Sequence, residues 1–323
     1  MNISDRPLVL VTHSGNFHAD DAMAYALLRR ALNLGAPGTD HRLIRTRDAA
    51  LIASADIVWD VGFEYDADRM RYDHHQRDRP LGADGMPLSA AGLVWRHWGE
   101  RVVAAVLPEA SEADQKAVFA AFGDEVIRII DQQDNGLSIG SDTVGLSNLI
   151  EDLNAPWNSN EAGNPRAADH RFLQASEMAD NVLENRLHFL HGKVAAVAVV
   201  RRAAEAAEDP RILMLPSRMP WIPAAHHLGL EDVIYAVYPV GYGNWTVDAM
   251  TAEPNSYFYR VPLPAEWAGR SPQELVVLTG IPDVEFIHAS RFCGSAGSLE
   301  GALALARRSL KLANAPTVAV SAP

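Results

Sequence analysis

Residues 8–28, LVLVTHSGNFHADDAMAYALL, decide the fold class. The apolar run Leu8 to Val11 follows Pro7 and gives way to a polar stretch, Thr12 to Asp21. Ala22, Met23, Ala24, Ala26, Leu27 and Leu28 then recur at helical spacing, so the segment reads as strand, loop, helix. Leu43 to Thr46 and Ile57 to Val61 are two further short β-rich runs, the second closing at Gly62. Strands alternating with helical patterns imply crossover connections and a parallel sheet, whose ligands collect outside the carboxyl ends of the strands. His13 and Asp60 both stand at such predicted ends.

Working outward, Ser89 is a predicted helix cap before Ala90–Trp95, and Ser111 caps a longer pattern running through Val118, Phe122, Val126 and Ile130. The stretch Asn154 to Pro165 is punctuated as a loop. A helical region follows from about Ala168 to Val200. Beyond it Ile212–Leu215, Val233–Tyr238 and Trp245–Ala249 read as strands between Pro/Gly turns, and Glu300–Leu312 as a strongly amphipathic last helix. The expectation is an α/β protein with a parallel-sheet domain over 1–165 with helices on both faces, a helical linker over 166–200, and a smaller mixed α+β domain over 201–323.

Composition sets the bounds. At 323 residues, 48% hydrophobic and 21% charged, the chain has the balance of a globular protein of two domains. The single cysteine, Cys293, has no partner for an internal disulfide, and no apolar run reaches bilayer length. The opening MNISDRPLVLVTH lacks the pattern of a secretory signal, so the expected home is a reducing cytoplasm, away from any membrane. A net charge of −13 argues against a broad basic footprint on duplex nucleic acid, while leaving room for a small phosphate site whose charge bound cations would invert. Of the 28 basic residues only Lys116, Lys193 and Lys311 are lysine.

Five clusters carry the chemistry: Thr12-His13-Ser14-Gly15, Phe17-His18-Ala19-Asp20-Asp21, Asp60-Val61-Gly62, Asp73-His74-His75, and Asp131 with Asp134-Asn135-Gly136. Imidazole and carboxylate together suit borderline divalent ions such as manganese, cobalt or zinc, and the lack of paired cysteines excludes a structural zinc knot. One such histidine is ordinarily structural. Four of them, interleaved with aspartates at loop positions, are hard to explain as core filling, because buried carboxylates need cations or donors. Trp157 and Trp245 offer faces on which a base could stack, but tryptophan is read as packing at both positions.

The order of these clusters resembles the DHH phosphoesterase superfamily, and within it the whole chain resembles the melanocyte-proliferating-gene exonuclease family, also labelled as metal-dependent protein hydrolases. The resemblance rests on THSGNFHADDAMAYALLRR (12–30), DIVWDVGFEYDADRMRYDHHQR (56–77), SAAGLVWRHWG (89–99), IDQQDNG (130–136), LNAPWN (153–158), PLPAEWAG (262–269) and GIPDVEFIHASRFCGSAGSLEGALALA (280–306). The chain departs from the family pattern at Ala19-Asp20-Asp21, where Cys-Asp-Glu is common, and at Arg291 and Ser295, where glycine is usual.

The resemblance implies a DHH-like catalytic domain holding two divalent ions, manganese first, with zinc, cobalt or magnesium as alternatives. His13, Asp60 and His18 would serve one ion, and Asp20, Asp60, His74 and Asp134 the other, with Asp60 as the bridge. The pair would make a shared water reactive for in-line displacement at phosphorus. His75 would donate a proton to the phosphate or orient a ligand, with Asp73 and Asp21 set behind the ligands. His288, Ser290, Arg291 and Gly294 would form a substrate loop, with reaction in the cleft between domains. The implied activity is 3′–5′ exonucleolytic cleavage of RNA or short oligonucleotides, and a homodimer is a further expectation. Two rivals are hydrolysis of another substrate, such as pyrophosphate, a nucleotide or a peptide, and a metal-binding sensor without turnover. No His-Glu-x-x-His helix supports peptide hydrolysis.

Overall fold

In the computed structural model, which describes residues 6–137 and 145–313, the chain divides into two compact units after His191. The sheet of the first unit comprises β1 (Leu8–Thr12), β2 (His41–Arg45), β3 (Ile57–Trp59), β4 (Tyr65–Asp66) and β5 (Arg71–Tyr72), in the order β2-β1-β3-β5-β4. All neighbours are parallel except the antiparallel edge strand β4. Register is what matters for function. Val11 pairs with Val58 and Trp59 pairs with Tyr72, so His13, Asp60 and Asp73 each leave their strand at the same level of the sheet.

Helices cover both faces. Val9, Val11 and Val58 point to one side, against Ile52 of α2 (Ala49–Ser54). On the other side lies α1 (Ala19–Leu32), whose Tyr25 ring stacks on Trp59 at 5.9 Å while the Trp59 indole N–H donates to the Asp21 carbonyl at 3.0 Å. This helix begins with Asp20 and Asp21 and ends with Arg29 and Arg30, as its dipole favours, and stops at Asn33 in the left-handed conformation. Nearly every side chain from Ala19 to Leu28 is buried, because α3 (Ala90–Val106) packs along its outer side.

The pattern after Ser111 is not one helix. It is α4 (Glu112–Phe122), a π turn over Gly123–Ile127, and α5 (Arg128–Asp134). The Arg128 N–H reaches back to the Gly123 carbonyl. That extra residue resets the helical phase and turns Asp131 and Asp134 inward, the kind of place where π bulges serve function. The first unit also holds the short α6 (Leu146–Glu151). The 41-residue α7 (Pro165–Glu205) buries Phe172, Ala175, Ala179, Leu183 and Leu187 along one stripe.

The second unit carries β6 (Ile212–Met214), α8 (Trp221–His227), β7 (Tyr235–Pro239), β8 (Trp245–Ala249), α9 (Pro272–Thr279), β9 (Val284–Ile287), β10 (Cys293–Ala296) and α10 (Leu299–Ala313). Its strands run β6-β7-β8-β10-β9, with β6 and β7 parallel and the remainder antiparallel. Alternation along β7 feeds two cores. Tyr235 and Val237 join Leu275, Leu305 and Leu310 on one face, and Ala236 and Tyr238 join Trp221, Ala225 and Val200 on the other. No helix among the described residues is long and apolar enough to cross a membrane.

Candidate metal centre

The site is built where the three strand ends meet the start of α1. His13 follows β1, and its Nε2 lies 3.0 Å from Asp21 Oδ2 and 3.1 Å from Asp60 Oδ2. Asp60 follows β3 with φ at +54°, a left-handed conformation uncommon outside glycine and asparagine, and the strain turns its carboxylate into the nest. The two Asp60 oxygens face different imidazoles, since Oδ1 lies 3.2 Å from His74 Nε2. His74 also approaches Asp134 Oδ2 at 3.5 Å and Asp20 Oδ2 at 3.9 Å.

Three groupings place their ligand atoms within 4.8 Å of one another: His13, Asp21 and Asp60; His18, Asp20 and Asp134; and Asp60, Asp73, His74 and His75. All six expected metal-ligating residues therefore gather in one place. Asp21, which the sequence reading set behind the ligands, stands among them, fully buried. Its adjacency to Asp20 at a helix start was the available signal. Asp21 differs from Asp20 in also serving the backbone, because its Oδ1 accepts the His18 N–H at 2.9 Å and so caps α1.

Asp73 is occupied differently. Its Oδ1 accepts the backbone N–H groups of His74 and His75 at 2.8 and 3.2 Å and His75 Nδ1 at 2.7 Å, and its Oδ2 accepts the Phe63 N–H at 2.5 Å. With its acceptors satisfied, it fixes the tripeptide and aims the half-exposed His75 ring. Burial works against its charge, yet the His75 bond and backbone amides hold its carboxyl below the usual range, and in return His75 is raised. Asp131 belongs to the frame. It accepts the Ser89 N–H at 2.9 Å and hydroxyl at 2.7 Å, tying α5 to the cap of α3, and burial lifts it to about 6.

The electrostatics ask for positive charge. Burial, followed by the charges of Asp60, Asp134 and Asp21, pushes Asp20 well above the usual carboxylate range, and burial raises Asp134 and Asp21. Burial opposes the charge on His13 and Asp60 too, but bonds from Asp21 and Asp60 lift His13 to about 10, and His13 and His74 pull Asp60 well down. Asp20 Oδ1 and Asp134 Oδ2 have no hydrogen-bond partner among the described residues. Buried oxygens without hydrogen-bond partners, beside imidazole nitrogens, are what a divalent cation satisfies, and the imidazole-carboxylate donor set suits it. A cavity of about 290 Å³ opens onto His18, Asp20 and Asp134 and is walled by Gln133, Ser147 and Glu151.

The frame is tight enough to test. A methyl on Gly92 would sit 2.4 Å from Asp131 Oδ1, which the two Ser89 bonds prevent from retreating. Gly92→Ala is therefore expected to lower stability by about 1–3 kcal/mol, despite alanine's better helix propensity, as urea denaturation would measure.

The proposed substrate loop lies in the second unit. Ser290 N–H donates to His288 Nδ1 at 2.9 Å, and Arg291, at φ +64°, sends its Nε to the Leu263 carbonyl at 2.7 Å. Gly294 is buried in β10, where a Cβ would meet the Phe286 carbonyl at 3.0 Å and Leu305 at 3.1 Å. Close packing under α10 accounts for that glycine.

The fold and nest define an α/β protein with a candidate site for divalent cations at the carboxyl edge of a parallel sheet. The chain belongs to the MYG1 family, whose model, described as "Uncharacterised protein family (UPF0160)", matches residues 9–310. Among its relatives, the MYG1 exonuclease of Homo sapiens is 35% identical over 93% of this chain and 85% of its own length. A MYG1 protein of Schizosaccharomyces pombe is 32% identical over 93% of this chain and 97% of its own, and one of Caenorhabditis elegans is 31% identical over 93% and 94%. No solved structure gives a significant match.

Proposed function

We propose that this protein is a divalent-metal-dependent phosphoesterase of the DHH type, acting as a 3′–5′ exonuclease on RNA or short oligonucleotides. The observation that carries this reading is the Asp60 carboxylate, one oxygen toward His13 and the other toward His74, at the centre of a buried nest with unsatisfied oxygens. His13, Asp21 and Asp60 would hold one ion, and Asp20, Asp60, His74 and Asp134 the second, with His18 beside it. Manganese is the first choice for such a donor set. When bound, such a pair supplies Lewis-acid charge at a phosphoryl group and lowers the pKa of water. The name of the human relative, MYG1 exonuclease, supports a phosphodiester substrate.

The protein's own groups do the remaining work. Asp73 accepts the hydrogen bond from His75 Nδ1, which would leave Nε2 of this half-exposed ring as the nitrogen to donate to the departing oxygen. The hydrogen bond to Asp73 raises His75, in the direction that favours holding a proton. Asp20 Oδ1 and Asp134 Oδ2, without hydrogen-bond partners among the described residues, would be available to an ion. His288, Ser290, Arg291 and Gly294 belong to this proposal as the substrate loop, with the His288 ring and the Arg291 turn as its polar elements.

Purified protein should be incubated with bis-p-nitrophenyl phosphate, short RNA, short DNA, pyrophosphate and casein, each with manganese and with chelator. The expected result is manganese-dependent release of mononucleotides from the 3′ end, abolished by chelator. Casein cleavage without phosphodiester cleavage would overturn the reading in favour of an amidase, and bound metal with no turnover on any substrate would favour a sensor. Asp73→Asn is expected to lower kcat about 10- to 100-fold while metal stays bound, because the amide cannot both accept from His75 and raise it. Unchanged kcat in that variant would remove the proton-donor role.

A further inference from the structure

The LNAPWN segment lies outside the metal nest. Trp157 within it is 89% exposed, whereas Trp245 packs against the second unit's core, so the packing expected for both holds for one only. A single exposed side chain needs no partner of its own, but this indole forms part of the wall of a cavity. The segment carrying it is not loose. Asn154 accepts the Phe17 N–H at 3.0 Å and donates to the Phe17 carbonyl at 2.9 Å and the Glu151 carbonyl at 3.0 Å, clamping Trp157 to the loop that begins at His13.

The cavity beside Trp157, about 720 Å³, is also walled by Ser14, Gly15, Asn16, Arg45 and Asp169. His13 faces the nest, and the next three residues face this cavity. Three residues of chain span about 11 Å at most, so one short strand could touch both. The Arg45 side chain is only 1% exposed, lies over the Phe17 and Phe172 rings, and donates from Nη2 to the Gly15 carbonyl at 2.7 Å. Its buried Nε has no partner among the described residues. Arg45 is matched by Asp169 at 3.4 Å, and Arg171 nearby by Glu161 at 2.7 Å. Cations already balanced in this way suit a neutral, hydrogen-bonding ligand better than a phosphate. Asn16, exposed at the rim, offers an amide donor and acceptor of the kind that reads a base edge.

We propose that this cavity seats one base of a single-stranded oligonucleotide, stacked on Trp157 with Asn16 at its edge. The proposal deepens the phosphodiesterase reading and rests on it for the identity of the ligand. Stacking requires an unpaired base, so duplex substrates would be excluded from the seat.

The test is binding of a phosphorothioate pentathymidylate, which resists cleavage, followed by tryptophan fluorescence with manganese and again with chelator. Trp157→Ala, at an exposed position that should not disturb folding, is expected to weaken binding about tenfold and to remove most of the quenching, while Trp157→Phe restores most of the affinity. An abasic residue at one position should cost the native protein the same tenfold and cost Trp157→Ala nothing more. Equal binding by native protein and Trp157→Ala, or additive losses at every abasic position, would overturn the seat. So would free thymidine binding as tightly as the oligomer, which would mark a nucleoside site. If the abasic cycle closes but no natural phosphodiester is cleaved, the seat stands and the catalytic reading falls. If cleavage is found with KM and kcat unchanged in Trp157→Ala, the reverse holds.

Discussion

Replacing Asp60 by asparagine is expected to reduce manganese-dependent phosphodiester cleavage by about a thousandfold or more, since the carboxylate is proposed to serve both ions and charge stabilisation by such a pair is worth several kcal/mol. Asparagine is the informative choice. Asp60 sits at φ +54°, where alanine would add roughly 1–2 kcal/mol of backbone strain and asparagine is tolerated. A loss seen with alanine alone would therefore confuse a broken fold with a broken site. In Asp60→Asn the Phe17, Tyr25 and Trp59 core stays intact, so far-ultraviolet circular dichroism should match that of the native protein while bound manganese, measured by atomic emission, falls. His74→Ala should behave in the same direction. A near-normal rate in Asp60→Asn, with metal retained, would contradict the bridging assignment and leave His13 and His74 as partners of a purely structural carboxylate.

How much of this was legible in the sequence varies with the physics of each element. His13 and Asp60 could be read from the residues themselves, because a parallel sheet of short apolar strands has only one edge where polar ends collect. The level arrangement of His13, Asp60 and Asp73 then follows from register, which no single strand reveals. Asp134 was different. With Asn135 and Gly136 it reads as a loop cluster just past the pattern from Ser111, whereas it lies on the last turn of α5. Its inward phase comes from the π turn over Gly123–Ile127, a run of Gly, Asp, Glu, Val and Ile whose mixed helix propensities do not announce an extra residue in the turn.

Asp21 was undervalued for a related reason. A carboxylate at the third position of a helix is expected to cap it, and Asp21 does so with one oxygen, leaving the other 3.0 Å from His13. One side chain filling a structural and a candidate ligand position at once cannot be divided by spacing rules. Gly294 is ambiguous in another way. Glycine near a histidine and an arginine suggests close approach of a ligand, but the space a side chain would need is already filled by Phe286 and Leu305. Exposure decided the case of Trp157, and exposure is a property of the finished fold.

Asp20→Asn should separate stability from metal binding most sharply. Asp20 is 1% exposed, its Oδ1 lacks a donor among the described residues, and Asp60, Asp134 and Asp21 crowd it with like charge. An uncompensated buried acceptor costs about 1–3 kcal/mol, and more when charged, so neutralising it should raise the metal-free Tm by roughly 2–10 °C. The amide oxygen can keep the Ala90 N–H bond that Asp20 Oδ2 now accepts at 3.3 Å, and the amide hydrogens find acceptors in the neighbouring carboxylates. Manganese should reverse the ranking. At about a hundredfold excess over its Kd, the ion stabilises the native protein by about 2.7 kcal/mol, a gain the variant should largely forgo. Differential scanning fluorimetry in chelator and in manganese would read both effects from the same samples. A variant whose Tm in chelator is no higher than the native value would show that Asp20 carries no buried-charge penalty. A variant that still gains the full manganese shift would show that the ions bind elsewhere, and the nest formed by His13, Asp60 and His74 would then need another explanation.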